Sequence, residues 1–124
     1  MPRIILIVED SDACAETLQI ALESISDVEA RPVRGVQAAL AVLADARNDV
    51  AAIVTDLHMP RRNGFELIGQ LRSDRRYSHL PILMVSGDSD PSLPERALAE
   101  GASAFFAKPY SPAAVRRKLE QMLC

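Results

Sequence analysis

Glu9, Asp10, Asp56, Ser86 and Lys108 carry the groups in this chain that can do chemistry together. Taken singly, each has an ordinary structural use. Asp10 or Asp12 suits the positive end of a following helix, and Asp56 suits a turn or cap. Ser86 before Gly87 reads as a turn, and Lys108 before Pro109 reads as a surface lysine. Together they describe a reaction. Three clustered carboxylates repel one another and shift upward in pKa unless a cation sits among them. An all-oxygen set with few protein ligands suits Mg²⁺, which keeps several waters and shares the rest with phosphate. Such an ion holds Asp56 ionised and screens its approach to an anionic phosphoryl donor. An ionised Asp is a competent nucleophile toward phosphorus and yields an acyl phosphate. The Lys108 ammonium can pair with the phosphoryl oxygens and the Ser86 hydroxyl can donate to them. About two negative charges then stand where one carboxylate stood, which makes a switch.

These residues act together only if the fold brings them to one place, and the elements around them predict that it does. Ile4-Ile5-Leu6-Ile7-Val8 is a continuous β-branched run, the mark of a strand buried on both faces. Leu18, Ala21, Leu22 and Ile25 then recur at helical spacing. Residues 28–33 read as a strand, but Glu29, Arg31 and Pro32 place it at a sheet edge. After Gly35 a helix shows Val36, Leu40 and Leu43 along one side, and residues 50–55 form a second buried strand. Pro60 and Gly64 punctuate the next loop; Phe65, Ile68 and Leu71 mark a helix, and Pro81 opens a strand over 82–85. Residues 90–94 offer two starts for a short helix ending near Gly101. Residues 102–107 make a fifth strand, and Ser111-Pro112 caps a last helix with Val115, Leu119 and Met122 inward. Five strands alternating with five helices predict an α/β fold: a five-stranded parallel sheet, order 2-1-3-4-5, doubly wound by helices on both faces. Ligands of such sheets sit beyond the carboxyl ends of the strands. Glu9 and Asp10 follow the first strand, Asp56 the third, Ser86 the fourth and Lys108 the fifth.

Composition narrows the function classes. The 124 residues suit one domain, and 48 % hydrophobic with 25 % charged residues supports a real core. A net charge of −3, 4 % aromatics and no Trp argue against direct nucleic-acid binding. No apolar run approaches the roughly 18 residues of a membrane span. The start Met1-Pro2-Arg3-Ile4 leads directly into a strand, so the cytoplasm is the expected compartment. Cys14 and Cys124 lack metal-ligand spacing and read as thiols in a reducing compartment.

Several segments together resemble the receiver domain of two-component response regulators, whose single-domain type is the chemotaxis regulator. They are Leu6-Ile7-Val8-Glu9-Asp10, then Asp56-Leu57-His58-Met59-Pro60-Arg61-Arg62-Asn63-Gly64, Val85-Ser86-Gly87 and Phe105-Phe106-Ala107-Lys108-Pro109. The resemblance covers essentially residues 1–124 as one receiver domain and implies a flavodoxin-like fold. It implies that Asp56 is the phosphoacceptor, charged by a sensor histidine kinase or a phosphotransfer protein. Glu9, Asp10, Asp56 and the backbone carbonyl of His58 would hold Mg²⁺, Glu9 through water. Ser86 would turn inward on phosphorylation and Phe105, at the aromatic switch position, would follow. The Lys108–Pro109 peptide would be cis. The resemblance further implies a phosphorylatable switch rather than an enzyme, catalysing only its own phosphorylation and dephosphorylation. It would act on a downstream protein target or a fused output domain, and homodimers occur in the family.

Two departures from the family pattern bear on the output. Gly87 stands where a larger small residue is usual, and Phe105 lacks the hydroxyl of a tyrosine. His58, two residues past the acceptor, has an imidazole that either fringes the site or is merely solvated. Haloacid-dehalogenase-type phosphatases also use a strand-end Asp nucleophile with Mg²⁺. They require a second Asp two residues on, where this chain has His58. A flavodoxin reading fails on charge, because the first loop, Glu9-Asp10-Ser11-Asp12, repels phosphate.

Overall fold

Alternation along the first strand establishes the layering. Side chains of a strand point alternately to its two faces. Ile4, Leu6 and Val8 enter one core, and Ile5 and Ile7 enter the other. The computed structural model describes residues 2–123; Met1 and Cys124 lie outside the described residues, and so does the reading of the Cys124 thiol.

The elements run β1 (Arg3–Val8), α1 (Asp12–Leu22), β2 (Val28–Val33), α2 (Val36–Ala44), β3 (Val50–Asp56) and α3 (Gly64–Arg72). A single 3-10 turn (Arg75–Tyr77), which the sequence pattern does not announce, leads to β4 (Ile82–Ser86). Then follow α4 (Leu93–Glu100), β5 (Ala104–Ala107) and α5 (Pro112–Leu123). The strands form one parallel sheet in the order β2-β1-β3-β4-β5, with the Pro32-bearing strand at an edge as expected. Val36, Ala39 and Leu43 of α2, Leu67, Ile68 and Leu71 of α3, and Leu93 and Ala97 of α4 fill the core on one face. Ala15, Leu18 and Leu22 of α1 and Val115 and Leu119 of α5 fill the other.

Local chemistry sets the helix starts. Ser11 caps α1 by accepting from the Cys14 N–H, and Asn63 and Glu66 form a reciprocal capping box on α3. Ser111 accepts from Ala114 N–H ahead of Pro112. The short α4 begins at Leu93 with Pro94 in its first turn and ends on Gly101, whose φ of 115° only glycine adopts freely.

Several boundaries and one buried position differ from the sequence expectation. Ile25 lies past the end of α1, yet its N–H bonds Leu22 O and its side chain stays buried. In α2 the small Ala39 is the buried residue, and Leu40 packs half-buried at the margin. β5 starts at Ala104 because Ala102 N–H closes the end of α4 on Ala97 O. β3 extends to Asp56, so the acceptor candidate is the strand's last residue.

Gly64 is sterically required. A Cβ there would lie 2.6 Å from the Asp56 carbonyl oxygen and 3.0 Å from Met84 Cε. Gly35, by contrast, has nothing within 4 Å of such a Cβ. Gly64→Ala is therefore expected to cost about 1–3 kcal/mol in urea unfolding, and Gly35→Ala less than about 1 kcal/mol. Equal losses at the two positions would contradict this packing.

Candidate functional site

The order β2-β1-β3-β4-β5 makes the C-terminal ends of β1, β3, β4 and β5 consecutive along one sheet edge. Pairing aligns Val8 with Thr55, Asp56 with Val85, and Ser86 with Ala107. Asp56 and Ser86 end β3 and β4 within these pairs, Glu9, Asp10 and Lys108 follow the ends of β1 and β5, and the structure brings all five to one edge.

Asp56 is 8 % exposed and Glu9 6 %. One Asp56 oxygen accepts from the Leu57 N–H at 2.9 Å, and the other from Lys108 Nζ at 3.2 Å. The same ammonium donates to Glu9 Oε1 at 2.9 Å, and Glu9 Oε2 accepts from the Ser11 N–H at 3.2 Å. Asp10 is exposed beside them, and one carboxylate oxygen from each of Glu9, Asp10 and Asp56 lies within 4.8 Å of the others. Three carboxylates thus face one ammonium, and the negative excess favours a further cation. Hard oxygen donors at this spacing fit Mg²⁺. Partial burial disfavours the Lys108 ammonium, but the Glu9 hydrogen bond and the Asp56 charge outweigh it and raise its pKa. Lys108 is therefore a fixed positive charge at neutral pH.

Ser86 is 1 % exposed, and its hydroxyl accepts from the Asp88 N–H at 3.1 Å. Its carbonyl accepts from the Lys108 N–H at 2.8 Å, tying β4 to the β5 end. The Lys108–Pro109 peptide is cis, as expected. A Cβ on Gly87 would meet Lys108 Cβ at an ordinary 3.7 Å, so packing does not demand glycine there. Phe105 is half-buried against the core beneath α4. An apolar groove of about 510 Å³, lined by Ala13, Cys14, Thr17, Lys108, Tyr110 and Pro112 among others, opens beside the site.

Sequence reasoning missed two contacts at the rim. Arg34 donates to both oxygens of Asp12 at 2.6 and 2.7 Å, joining the β2 end to the start of α1. The His58 imidazole is exposed but engaged: Nε2 lies 2.9 Å from Asp88 Oδ2. The Asp90 N–H, chiefly, and His58 hold the Asp88 carboxyl below its ordinary pKa. Both contacts join residues from different loops, so only the presence of paired acids and bases could have hinted at them.

Fold and site together define an α/β switch domain with an acidic, lysine-braced pocket at the carboxyl edge of its sheet. Residues 5–120 match the response regulator receiver domain family, and the chain belongs to it. It is 34 % identical over 79 residues to chemotaxis protein CheY1 of Helicobacter pylori. That match spans 64 % of this chain and 64 % of CheY1, a little under two thirds of the relative's length. The two-component response regulator ORR13 of Oryza sativa is 31 % identical over 115 residues, 93 % of each chain. Among solved structures, chemotaxis response regulator CheY4 of Vibrio cholerae superposes with a TM-score of 0.84 at 27 % identity. The superposition covers 99 % of this chain and all (100 %) of that one. Receiver domains are signalling switches of two-component systems rather than enzymes in the usual sense. Among the described residues, no helix is long and apolar enough to cross a membrane.

The raised pKa of Lys108 fixes the sign of one pH effect. A cation whose folded pKa lies above its unfolded value of 10.5 contributes full stability below that value. The contribution fades only as pH rises through the folded pKa. In metal-free buffer, Lys108→Met is expected to lower the urea midpoint by the same amount from about pH 7 to about pH 10. A gap that closes within that range would contradict the pairing.

Proposed function

We propose that Asp56 is the phosphoacceptor of this receiver and that residues 1–124 work as one switching unit. The observation that supports this best is the Lys108 ammonium held between Glu9 and Asp56 at 2.9 and 3.2 Å, with Asp10 beside them. An Asp56 oxygen attacks the phosphorus of a phosphohistidine, forming an O–P bond as the P–N bond breaks. The leaving imidazole then takes a proton from solvent. Glu9, Asp10, Asp56 and the His58 backbone carbonyl would hold Mg²⁺, which when bound would supply positive charge to offset that of a phosphoryl group. Lys108 pairs with a phosphoryl oxygen on arrival, and Ser86 turns to donate to another. Phe105 follows into the space that Ser86 leaves. Water attack on the acyl phosphate resets the switch in the same site.

The donor is a sensor histidine kinase or a phosphotransfer protein, and the groove beside Lys108 offers an apolar seat next to the acceptor. The recipient of the signal is a downstream protein or a fused output domain. The cytoplasm is the compartment this reading requires, since the phosphodonors of such relays act there.

Intact mass after incubation with Mg²⁺ and a small phosphodonor tests the reading. The native chain is expected to gain one phosphoryl group, whereas Asp56→Asn gains none and EDTA abolishes the gain. Asp10→Asn is expected to slow the gain about tenfold or more at limiting Mg²⁺. An unmodified native chain, under conditions that modify a control receiver, would remove the proposal.

A further inference from the structure

One contact across the mouth of the site has no part in the chemistry above. His58 stands two residues beyond Asp56, and Asp88 stands two residues beyond Ser86. Their side chains meet at 2.9 Å, joining the β3–α3 loop to the β4–α4 loop. A carboxylate only accepts, so the imidazole Nε2–H is the donor. The other Asp88 oxygen accepts from the Asp90 N–H at 3.0 Å, and the Asp88 N–H donates to Ser86 Oγ at 3.1 Å. Asp88 is therefore held through both carboxylate oxygens and its backbone N–H, and the last of these contacts holds the Ser86 hydroxyl.

We infer that His58 and Asp88 are positioning residues that latch Ser86 in its resting orientation and so set how readily the site accepts a phosphoryl group. The inference rests on the phosphoacceptor reading. Among the described residues, Ser86 Oγ makes no hydrogen bond to Asp56; its partner is the Asp88 N–H. To reach a phosphoryl oxygen the hydroxyl must turn about its Cα–Cβ bond. That motion breaks the tight turn with Asp88, whose exposed N–H must then turn to water or move with its loop. While His58 holds the Asp88 carboxylate from the neighbouring loop, the Asp88 N–H stays placed to favour the resting hydroxyl. Switching therefore works against the His58–Asp88 contact. An exposed contact of this kind is weak, so its effect on the switching equilibrium is roughly two- to fivefold.

Binding of beryllofluoride, a phosphoryl mimic, in saturating Mg²⁺ tests the latch, with amide NMR signals of the β4–α4 loop as the readout. His58→Ala keeps the backbone carbonyl and is expected to lower the half-saturating concentration roughly two- to fivefold. Electrostatics alone predicts the opposite sign, because Asp88 loses its hydrogen-bond partner and repels the anion more strongly. His58→Gln, which retains a donor, is expected to restore binding near the native value. In a Ser86→Ala background the His58 change is expected to have no effect, since there is no hydroxyl left to hold. Unchanged or weaker binding in His58→Ala, or the same gain without Ser86, would overturn the latch while leaving the phosphoacceptor reading intact. A native chain that binds no beryllofluoride would remove that reading, and the latch with it.

Discussion

Three carboxylates crowd one edge of a parallel sheet, and the tolerance of the fold for that crowding rests on Lys108. Its ammonium reaches Glu9 and Asp56, 99 and 52 residues back along the chain, and closes the sheet edge from β1 to β5. Repulsion among nearly buried carboxylates otherwise favours protonation or opening of the loops. One lysine pairs with two of the three carboxylates but cancels only one charge, and the remaining excess is what makes the site receptive to a metal. Structural strain and functional demand therefore have the same origin.

The sheet makes this arrangement possible because both cores are filled chiefly from its strands and the helices packed on it. Ile4, Leu6 and Val8 anchor β1 on one face, and Ile5 and Ile7 anchor it on the other. Each strand end therefore emerges from a rigid support, and the loops beyond it are free to carry polar residues. Gly64 shows how closely the two are fitted. Its lack of a side chain lets the start of α3 pack onto the Asp56 backbone, so the acceptor strand and the following helix hold one another.

Motion in such a site has few routes. β4 is buried throughout, and Ser86, its last residue, is tied to Lys108 through its carbonyl. Its hydroxyl is tied instead to a loop that solvent reaches. The short α4 beyond that loop is anchored at its far end, where Arg72 donates to the Gly101 carbonyl at 2.9 Å. A change at Ser86 thus meets an exposed, hydrogen-bonded loop on one side and the fixed far end of α4 on the other.

Much of this was legible in the residues themselves. Continuous β-branched runs announce buried parallel strands, Pro32 announces an edge, and acids and a lysine directly after those runs announce a site. These signals are local, because strand burial and capping depend on neighbours a few residues away. The 3-10 turn at Arg75–Tyr77, the start of β5 at Ala104 and the burial of Ala39 instead of Leu40 were not legible. Each is decided by what a distant element packs against or bonds. The same holds within the site. Residue types showed that Glu9, Asp56 and Lys108 belong together, but not that one ammonium bridges both acids. Nor did any pattern pair His58 with Asp88 or Asp12 with Arg34. Such pairs depend on loop conformations and rotamers converging within about 3 Å, and only the assembled sheet brings those loops side by side.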